Sequence, residues 1–219
     1  FQEISKYMYF QNYIIITITI AHCCIIVHFL QKNELSKNDY FLHVGTFDRR
    51  KNLPLLVQAF ASYLKQSKDP KKLVLAGGAG QSHQLNDLPE VTRLIGSLGL
   101  EKEVLLPGYL SDAEIKALYQ GAFAYVFPST NEGFGIPILE AMNFGLPVIH
   151  SDQTALVEVA AAAALAFQTN SPADLTEKMI LLEEDETLRT NLILQGKERE
   201  KEFTAEKFIA AFHRLILSA

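Results

Sequence analysis

Two carboxylates eight positions apart, Glu132 and Glu140, enclose a glycine-containing stretch that could bind an anion or a polyol. The intervening residues 133–136 read Gly-Phe-Gly-Ile, and glycines leave backbone N–H groups uncovered at the start of a predicted helix. We expect Glu140 to accept hydrogen bonds from a ribose diol, as acidic residues do in dinucleotide-binding folds. Glu132, at the loop tip, is expected to face a second polyol. The alternative is that both carboxylates only favour the helix dipole or lie in solvent.

A second candidate feature is basic and lies near residue 50. Gly45 ends a short apolar run, and Arg49, Arg50 and Lys51 follow just before a predicted helix. Cations usually prefer the other end of a helix, whereas the free N–H groups of a helix N-terminus attract anions. The placement therefore favours an anion site, and the alternative is a solvated helix start.

Short apolar runs alternate with helical periodicity from residue 40 onward, and these elements must position the candidate residues. The predicted strands are 40–45, 72–77, 104–106, 123–127, 147–150 and 165–168. The predicted helices are 52–65, 85–98, 112–119, 136–144, 172–184, 186–202 and 205–217. Apolar strands that alternate with helices indicate a parallel sheet covered on both faces. We therefore predict a doubly wound, Rossmann-like α/β domain that binds its ligand beyond the carboxyl ends of the strands.

The composition excludes several classes of protein. With 48% hydrophobic and 21% charged residues among 219, the chain is too apolar to be disordered or fibrous. A net charge of −5 provides no electrostatic footprint for nucleic acid. The two cysteines, Cys23 and Cys24, are adjacent, so they neither close an unstrained disulfide nor complete a zinc site. A reducing, cytoplasmic compartment fits this pattern.

Residues 1–35 form an apolar segment that differs from residues 36–219, which we assign to the α/β domain. The chain starts with Phe1 rather than Met, and Tyr7–Leu30 contains no charged residue. A run of about 20 uncharged residues can span a bilayer or contact its surface. The β-branched stretch Ile14–Ile20 instead favours one or two buried strands. We expect a partial element, a remnant of a missing part of the protein.

The whole series of motifs resembles the retaining glycosyltransferases of family 4, the group 1 glycosyl transferases. The Glu132–Glu140 spacing carries the resemblance, which covers residues 36–217 in the right order. The other matching motifs are Gly45-Thr-Phe-Asp-Arg-Arg-Lys51-Asn, Leu75-Ala-Gly-Gly78, Pro107-Gly-Tyr-Leu-Ser-Asp112, Phe127-Pro-Ser129 and Ala141-Met-Asn-Phe-Gly145-Leu-Pro-Val148. The resemblance implies a fold of two Rossmann-like domains facing a cleft, of which this chain is the single C-terminal, nucleotide-sugar-binding half.

The resemblance also implies a role for each matching residue. Lys51, helped by Arg50, would neutralise the donor diphosphate and stabilise the leaving group. Glu132 would bind hydroxyls of the transferred sugar, and these three residues are the catalytic candidates. Glu140 would hold the ribose. The remaining donor-binding candidates are the loop positions Gly45 and Thr46, Gly108 and Tyr109 beside the base, and Gly133, Phe134, Gly135 and Ile136.

The activity implied is transfer of a hexose, with retention, from a UDP- or GDP-sugar to a glycan or lipid-linked acceptor. The chain contains no Asp-x-Asp, so we expect no metal at the diphosphate and no cofactor besides the donor. Polysaccharide biosynthesis in the cytoplasm, at the inner membrane face, would fit this chemistry.

The chain departs from the family pattern at three points. Many members carry Arg where this chain has Thr46, and Arg50 is expected to substitute. The usual Gly-Asp after a Glu-Val-Ala sequence is replaced by Ala161-Ala162. The N-terminal domain, which supplies the acceptor site and a histidine, is not recognisable. We expect a separate acceptor domain and little turnover from this chain alone.

None of the six histidines is assigned to catalysis. His22 and His28 match no motif, and His43 and His150 fall at strand positions, where we expect packed or rim residues.

The sequence bears on four other functions. An NAD-dependent Rossmann enzyme is disfavoured, because its fingerprint needs a third glycine, which is missing after Gly78-Ala-Gly80. A P-loop nucleotidase is disfavoured, because no P-loop sequence occurs. A nucleotide-sugar epimerase shares the fold but lacks the Glu132–Glu140 loop. The serious alternative is a truncated, catalytically inactive fragment that binds nucleotide sugar.

Overall fold

Six strands form one sheet in the computed structural model, which describes residues 29–79, 85–204, 206–207, 209 and 213. They are β1 (Tyr40–Val44), β2 (Lys72–Ala76), β3 (Val104–Gly108), β4 (Ala124–Phe127), β5 (Val148–Ser151) and β6 (Leu165–Phe167). Every neighbouring pair is parallel, and the order is β3-β2-β1-β4-β5-β6. The order reverses between β1 and β4, which is where doubly wound sheets bind ligands. The predicted Rossmann-like α/β class is confirmed.

Seven α-helices flank the sheet in the described part of the chain. They are α1 (Leu53–Gln66), α2 (Leu88–Leu98), α3 (Asp112–Gly121), α4 (Ile136–Asn143), α5 (Thr154–Ala160), α6 (Pro172–Glu184) and α7 (Glu186–Glu200). Three 3₁₀ turns lie at Arg49–Lys51, Ala161–Ala163 and Lys201–Phe203.

The two faces of the sheet build two cores. Alternate strand residues such as Phe41 and Leu75 pack with α1, α2 and α6 in the first. Their neighbours, Leu42 and Val74, pack with α3, α4 and α5 in the second. Helices therefore cover both faces of the sheet, which leaves the ends of the strands for ligand binding.

Residues before β1 also contribute to the second core. Phe29, Leu30 and Leu35 are buried there. His22, His28 and most of the uncharged run Tyr7–Leu30 lie outside the described residues, as does most of the helix predicted at 205–217. None of the helices that the structure describes is both long enough and apolar enough to cross a membrane.

All six predicted strands occur, with ends shifted by at most two residues. Six of the predicted helices occur as well, and α2 begins three residues later than predicted. The seven-residue helix α5 was not predicted. It buries only Leu156, Val159 and Ala160, so its apolar periodicity is too brief to stand out in the sequence.

Candidate functional site

Three glycines meet at the carboxyl ends of the central strands. The Gly45 amide donates to the Ala76 carbonyl at 3.0 Å, and the Gly77 amide donates to the Gly108 carbonyl at 3.1 Å. Gly77 has φ +145°, and a Cβ there would overlap the Gly45 carbonyl oxygen. The loops after β1, β2 and β3 therefore lie in backbone contact, and only glycine fits at position 77.

The basic turn Arg49–Lys51 is fixed against the loop that follows β4. The amide and the hydroxyl of Thr130 both donate to the Arg50 carbonyl, at 2.8 Å and 3.2 Å. Asn52 ends the turn with φ +55° and leads directly into α1. The cations are thus placed beside the residues that follow β4, across the reversal in strand order.

The three catalytic candidates meet in one cluster. Glu132 Oε1 lies 2.6 Å from Lys51 Nζ and 2.6 Å from Arg50 Nη1, and it accepts a 2.8 Å hydrogen bond from Ser129 Oγ. The Lys51 side chain is 8% exposed, whereas that of Arg50 is 46% exposed. The Lys51 ammonium also lies 4.6 Å from the centre of the Phe127 ring, a favourable cation–π position.

Glu132 is held as a carboxylate. Burial by itself raises its pKa, but hydrogen bonds from Lys51 and Ser129, together with the charges of Lys51 and Arg50, outweigh that effect. The net pKa lies below the usual value, so the cluster carries one negative and two positive charges at neutral pH. One excess positive charge faces the open side of the sheet, which suits an anionic ligand.

A buried histidine lies beneath this cluster. His43 Nδ1 donates to the Val126 carbonyl at 3.0 Å, and Nε2 meets no partner among the described residues. A Cβ at Gly45 would lie 3.3 Å from that Nε2 and 3.8 Å from Lys51 Cε. Burial first, then the charge of Lys51, overcome the opposing hydrogen bond and lower the pKa of His43 to about 4. The ring is therefore neutral and adds no charge to the site.

The start of α4 provides backbone donors at the same edge. Gly135 occupies the N-cap with φ +102°, and a Cβ there would lie 2.7 Å from Leu156 Cδ2. No described side chain caps the helix. Pro137 has no N–H and the Ile138 N–H donates to the Gly135 carbonyl at 2.9 Å, so the Ile136 N–H is the first-turn donor left for an anion. Gly133 has nothing within 4 Å of its Cβ position, which leaves the loop backbone open. Phe134 on this loop and Ile136, the first residue of α4, are both exposed.

Glu140 lies one turn into α4 and is linked to the end of β1. Tyr119 Oη donates to Glu140 Oε2 at 3.4 Å, and the Tyr119 ring stacks on Tyr125. Tyr125 Oη in turn donates to the carbonyl of Val44, the residue before Gly45, at 3.2 Å. Glu140 also lines a surface cavity of about 860 Å³ together with Phe134, Ile136 and Phe203.

Two sequence-predicted residues do not join these groups. Thr46 donates its hydroxyl to Asp48 at 2.6 Å, so it is engaged within its own loop. Tyr109 follows Gly108 at the edge of the sheet and is 91% exposed.

Two further residues were not singled out from the sequence. Ser129 entered only as part of a motif, and Tyr119 only as part of a helix. Ser129 donates a hydrogen bond to Glu132, and Tyr119 donates one to Glu140. Both contacts depend on the tertiary structure. The one sequence signal is their placement, since Ser129 follows a strand three residues before Glu132.

The departure at Ala161 has a structural counterpart. Its backbone has φ +49° and ψ −132°, a conformation that glycine adopts readily and alanine does not. Ala161 therefore occupies a backbone conformation that favours glycine.

Within the described parts of the chain, no group of three or more His, Cys, Asp or Glu side chains is arranged to hold a metal ion.

Comparisons with known proteins bear on the family and the fold of the chain. The sequence model of the family described as glycosyl transferases group 1 matches residues 28–199. The O-antigen chain mannosyltransferase B of Escherichia coli is 32% identical over 177 residues, which cover 81% of this chain and 45% of that protein. The chain thus spans less than half the length of that curated relative.

Two solved structures share the fold. The C-terminal domain of a glycosyl transferase group 1 family protein from Francisella tularensis aligns with a TM-score of 0.68 and 24% identity, over 78% of this chain and 89% of that one. Anabaena HepE, in complex with UDP and glucose, aligns with a TM-score of 0.77 and 21% identity, over 90% of this chain and 53% of that one. The chain therefore matches nearly all of one C-terminal domain and about half of a longer protein.

Proposed function

The chain belongs to the group 1 glycosyl transferases, and from this membership we propose that residues 36–219 are the donor-binding half of a retaining glycosyltransferase. The reaction would move a hexose from a nucleoside diphosphate sugar to a glycan or lipid-linked acceptor. The observation that carries this proposal is the cluster of Lys51, Arg50 and Glu132 beside Gly45 and the open N-terminus of α4. It combines an anion site with a carboxylate that can accept hydroxyl hydrogen bonds.

The diphosphate is proposed to lie between the cations and α4. An ammonium has three N–H donors, and Lys51 directs one of them to Glu132, so others remain for phosphate oxygens. The partly exposed Arg50 can reach the same oxygens from the solvent side. As the glycosidic bond breaks, negative charge grows on the departing diphosphate, and fixed positive charge there is worth several kcal/mol, on the order of 3. This role needs no metal.

The two polyols of the donor are assigned to the two carboxylates. Glu132 is placed to bind hydroxyls of the transferred sugar, and Glu140 to bind the ribose diol. Gly108 and Tyr109 would then border the base, while residues 133–136 offer backbone contacts. The complex of HepE with UDP and glucose supports a nucleotide and a sugar in a site of this fold.

Mannose is the sugar we propose, because the Escherichia coli relative is a mannosyltransferase. That relative acts on an O-antigen chain, which supports a growing surface polysaccharide as the acceptor. A separate N-terminal domain would supply the acceptor site, and the reaction would take place at the cytoplasmic face of the inner membrane.

Calorimetry tests the donor site directly. The 219-residue chain is titrated with GDP, UDP and their mannose and glucose conjugates. We expect one base to be bound, with affinity falling at least tenfold in Lys51→Ala and in Glu140→Ala. Lys68→Ala is the matched control, because that lysine pairs with Glu184 on the exposed surface. Absence of binding, or equal affinities in all variants, would contradict the assignment.

A second candidate function is a catalytically inactive nucleotide-sugar-binding fragment. Such a fragment would use the same cluster of Lys51, Arg50 and Glu132, so donor binding alone does not distinguish it from a transferase. Release of nucleoside diphosphate from the donor, measured with and without acceptor, separates the two. Robust transfer by the chain alone would exclude the inactive fragment.

A further inference from the structure

Two hydrogen bonds, from Lys51 and Ser129, and an ion pair with Arg50 converge on a single oxygen of Glu132. Lys51 Nζ, Arg50 Nη1 and Ser129 Oγ all contact Oε1, at 2.6 Å, 2.6 Å and 2.8 Å. Among the residues that the structure describes, none donates to Oε2. The two oxygens of one carboxylate therefore have different surroundings, although both could accept hydrogen bonds equally well.

Arginine alone would not produce this asymmetry. A guanidinium beside a carboxylate tends to form two parallel hydrogen bonds, one to each oxygen. Such a pair between Arg50 and Glu132 would occupy Oε2 and turn the carboxylate towards Arg50. Something must hold Glu132 with Oε1 towards the cations, and the remaining contact of that oxygen is the Ser129 hydroxyl.

Ser129 is itself rigidly placed. It is fully buried at the end of β4, and its carbonyl accepts a hydrogen bond from the hydroxyl of Ser151, which is fully buried at the end of β5. The Glu132 carbonyl also accepts a 3.3 Å hydrogen bond from Gln153 Nε2. The hydroxyl of Ser129 thus approaches Glu132 from a buried, hydrogen-bonded position just after β4, which long surface side chains cannot provide.

We propose that Ser129 is a positioning residue, which holds Glu132 Oε1 on the cations and so leaves Oε2 to accept a hydroxyl of the transferred sugar. This inference rests on the proposed function. In this arrangement the two carboxylate oxygens have different roles. Oε1 orients Lys51 and Arg50 for the diphosphate, and Oε2 accepts a hydrogen bond from a sugar hydroxyl. Ser129 acts through Glu132 and does not contact the donor itself.

The division predicts a difference between two ligands. Ser129→Ala should weaken binding of the nucleotide sugar about tenfold, since the carboxylate is free to turn, and should change binding of the nucleoside diphosphate less than twofold. Ser129→Thr, which keeps the hydroxyl, should restore the preference for the sugar. Thr176→Val removes another buried hydroxyl, on α6, and should leave both affinities unchanged.

The decisive measurement is a double-mutant cycle between Ser129 and Glu132. If Ser129 acts through the carboxylate, Ser129→Ala should have no further effect on nucleotide-sugar affinity in the Glu132→Gln background. A tenfold loss in both backgrounds, or equal losses for both ligands, would overturn the proposal. Should Ser129→Ala fail to fold by circular dichroism, Ser151→Ala replaces it in the same cycle, because it loosens Ser129 from a distance.

Failure of the proposed function would look different. A wild-type chain that binds none of the nucleotides would contradict the donor site itself. The contact of Ser129 with Glu132 is then tested by thermal unfolding, where the double variant should shift the midpoint less than the sum of the single shifts. Additive shifts would overturn the contact as well.

Discussion

Lys51 and Glu132 lie 81 residues apart in the chain and meet through a 2.6 Å hydrogen bond between Nζ and Oε1. Both side chains are largely buried, with 8% and 12% of their surfaces exposed. In the unliganded protein, the residue proposed to bind the diphosphate is therefore held by the residue proposed to bind the sugar. The pair sets the orientation of both before any ligand arrives.

Removing the carboxylate charge should destabilise the fold. Glu132→Gln leaves the buried Lys51 ammonium without its countercharge, which typically costs about 3 kcal/mol of unfolding free energy. Urea denaturation at pH 7 measures the loss. Glu184→Gln is the control, because its partner Lys68 is exposed to solvent and such surface pairs contribute little to stability. Equal losses in the two variants would argue against a buried, paired Lys51.

Lowering the pH should reduce the free energy of unfolding, because His43 is buried as a neutral ring. Its pKa is lowered by burial from 6.5 to about 4, so below pH 6.5 the unfolded chain binds a proton that the folded chain does not. Stability therefore rises with pH across this window, and it falls on acidification by up to about 1.4 kcal/mol per pH unit. The control is His43→Gln, which should show a shallower slope between pH 6.5 and 4.5. A slope unchanged by the substitution would show that other groups, such as His150, cause the loss.

Glycine at position 161 should stabilise the protein. Ala161 has φ +49° and ψ −132°, and an alanine held in such a region costs about 1–3 kcal/mol. Glycine also raises the entropy of the unfolded chain, which offsets about 0.5–1 kcal/mol of the relieved strain. A net stabilisation of about 1 kcal/mol is therefore expected. Scanning calorimetry should show a melting temperature about 2–4 °C higher for Ala161→Gly. Ala162→Gly, one residue on at an ordinary φ, should instead lower it.

The contact between the β1 and β2 loops should not tolerate a methyl group. Gly77→Ala places Cβ on the Gly45 carbonyl, in a backbone conformation that alanine avoids, and should cost more than about 3 kcal/mol. Ligand affinity should fall with it, since Gly45 has to move. Gly78→Ala is the neighbouring control, because nothing lies within 4 Å of its Cβ position. Chemical denaturation of the two variants provides the comparison, and similar midpoints would refute the close approach.

Tyr119 should influence the ribose and not the phosphates. Tyr119→Phe removes the hydrogen bond to Glu140, and we expect a loss of about threefold in affinity for the nucleoside diphosphate, about 0.6 kcal/mol. Binding of inorganic pyrophosphate should not change. Tyr40→Phe also removes a buried hydroxyl contact, to the Leu118 carbonyl, and serves as the control. A parallel loss for pyrophosphate would mean that the variant disturbs the whole site.

The strands could be predicted from the sequence because each is a short apolar run, and the four central strands, β1, β2, β4 and β5, are buried on both faces. The helix start at Ser111 was also predictable, since a serine followed three residues later by Glu114 forms a capping box, and the structure contains it. For the candidate site, the sequence predicted the residue types and the loops that carry them, but not the contacts between them. That Glu132 binds Lys51 and Ser129 through the same oxygen depends on the packing of β4 against β1, which sequence spacing does not encode.

The strand order has a consequence for how the protein folds during its synthesis. The cations follow β1 and their carboxylate follows β4, yet β2 and β3 come between them in the chain. A chain leaving the ribosome can pair β1 with β2, and β2 with β3, while the other edge of β1 is still unpaired, and contacts between distant segments form slowly. The site therefore has no local precursor. The site is complete only when β4 has docked on β1, so a nucleotide can stabilise only molecules that have reached that stage.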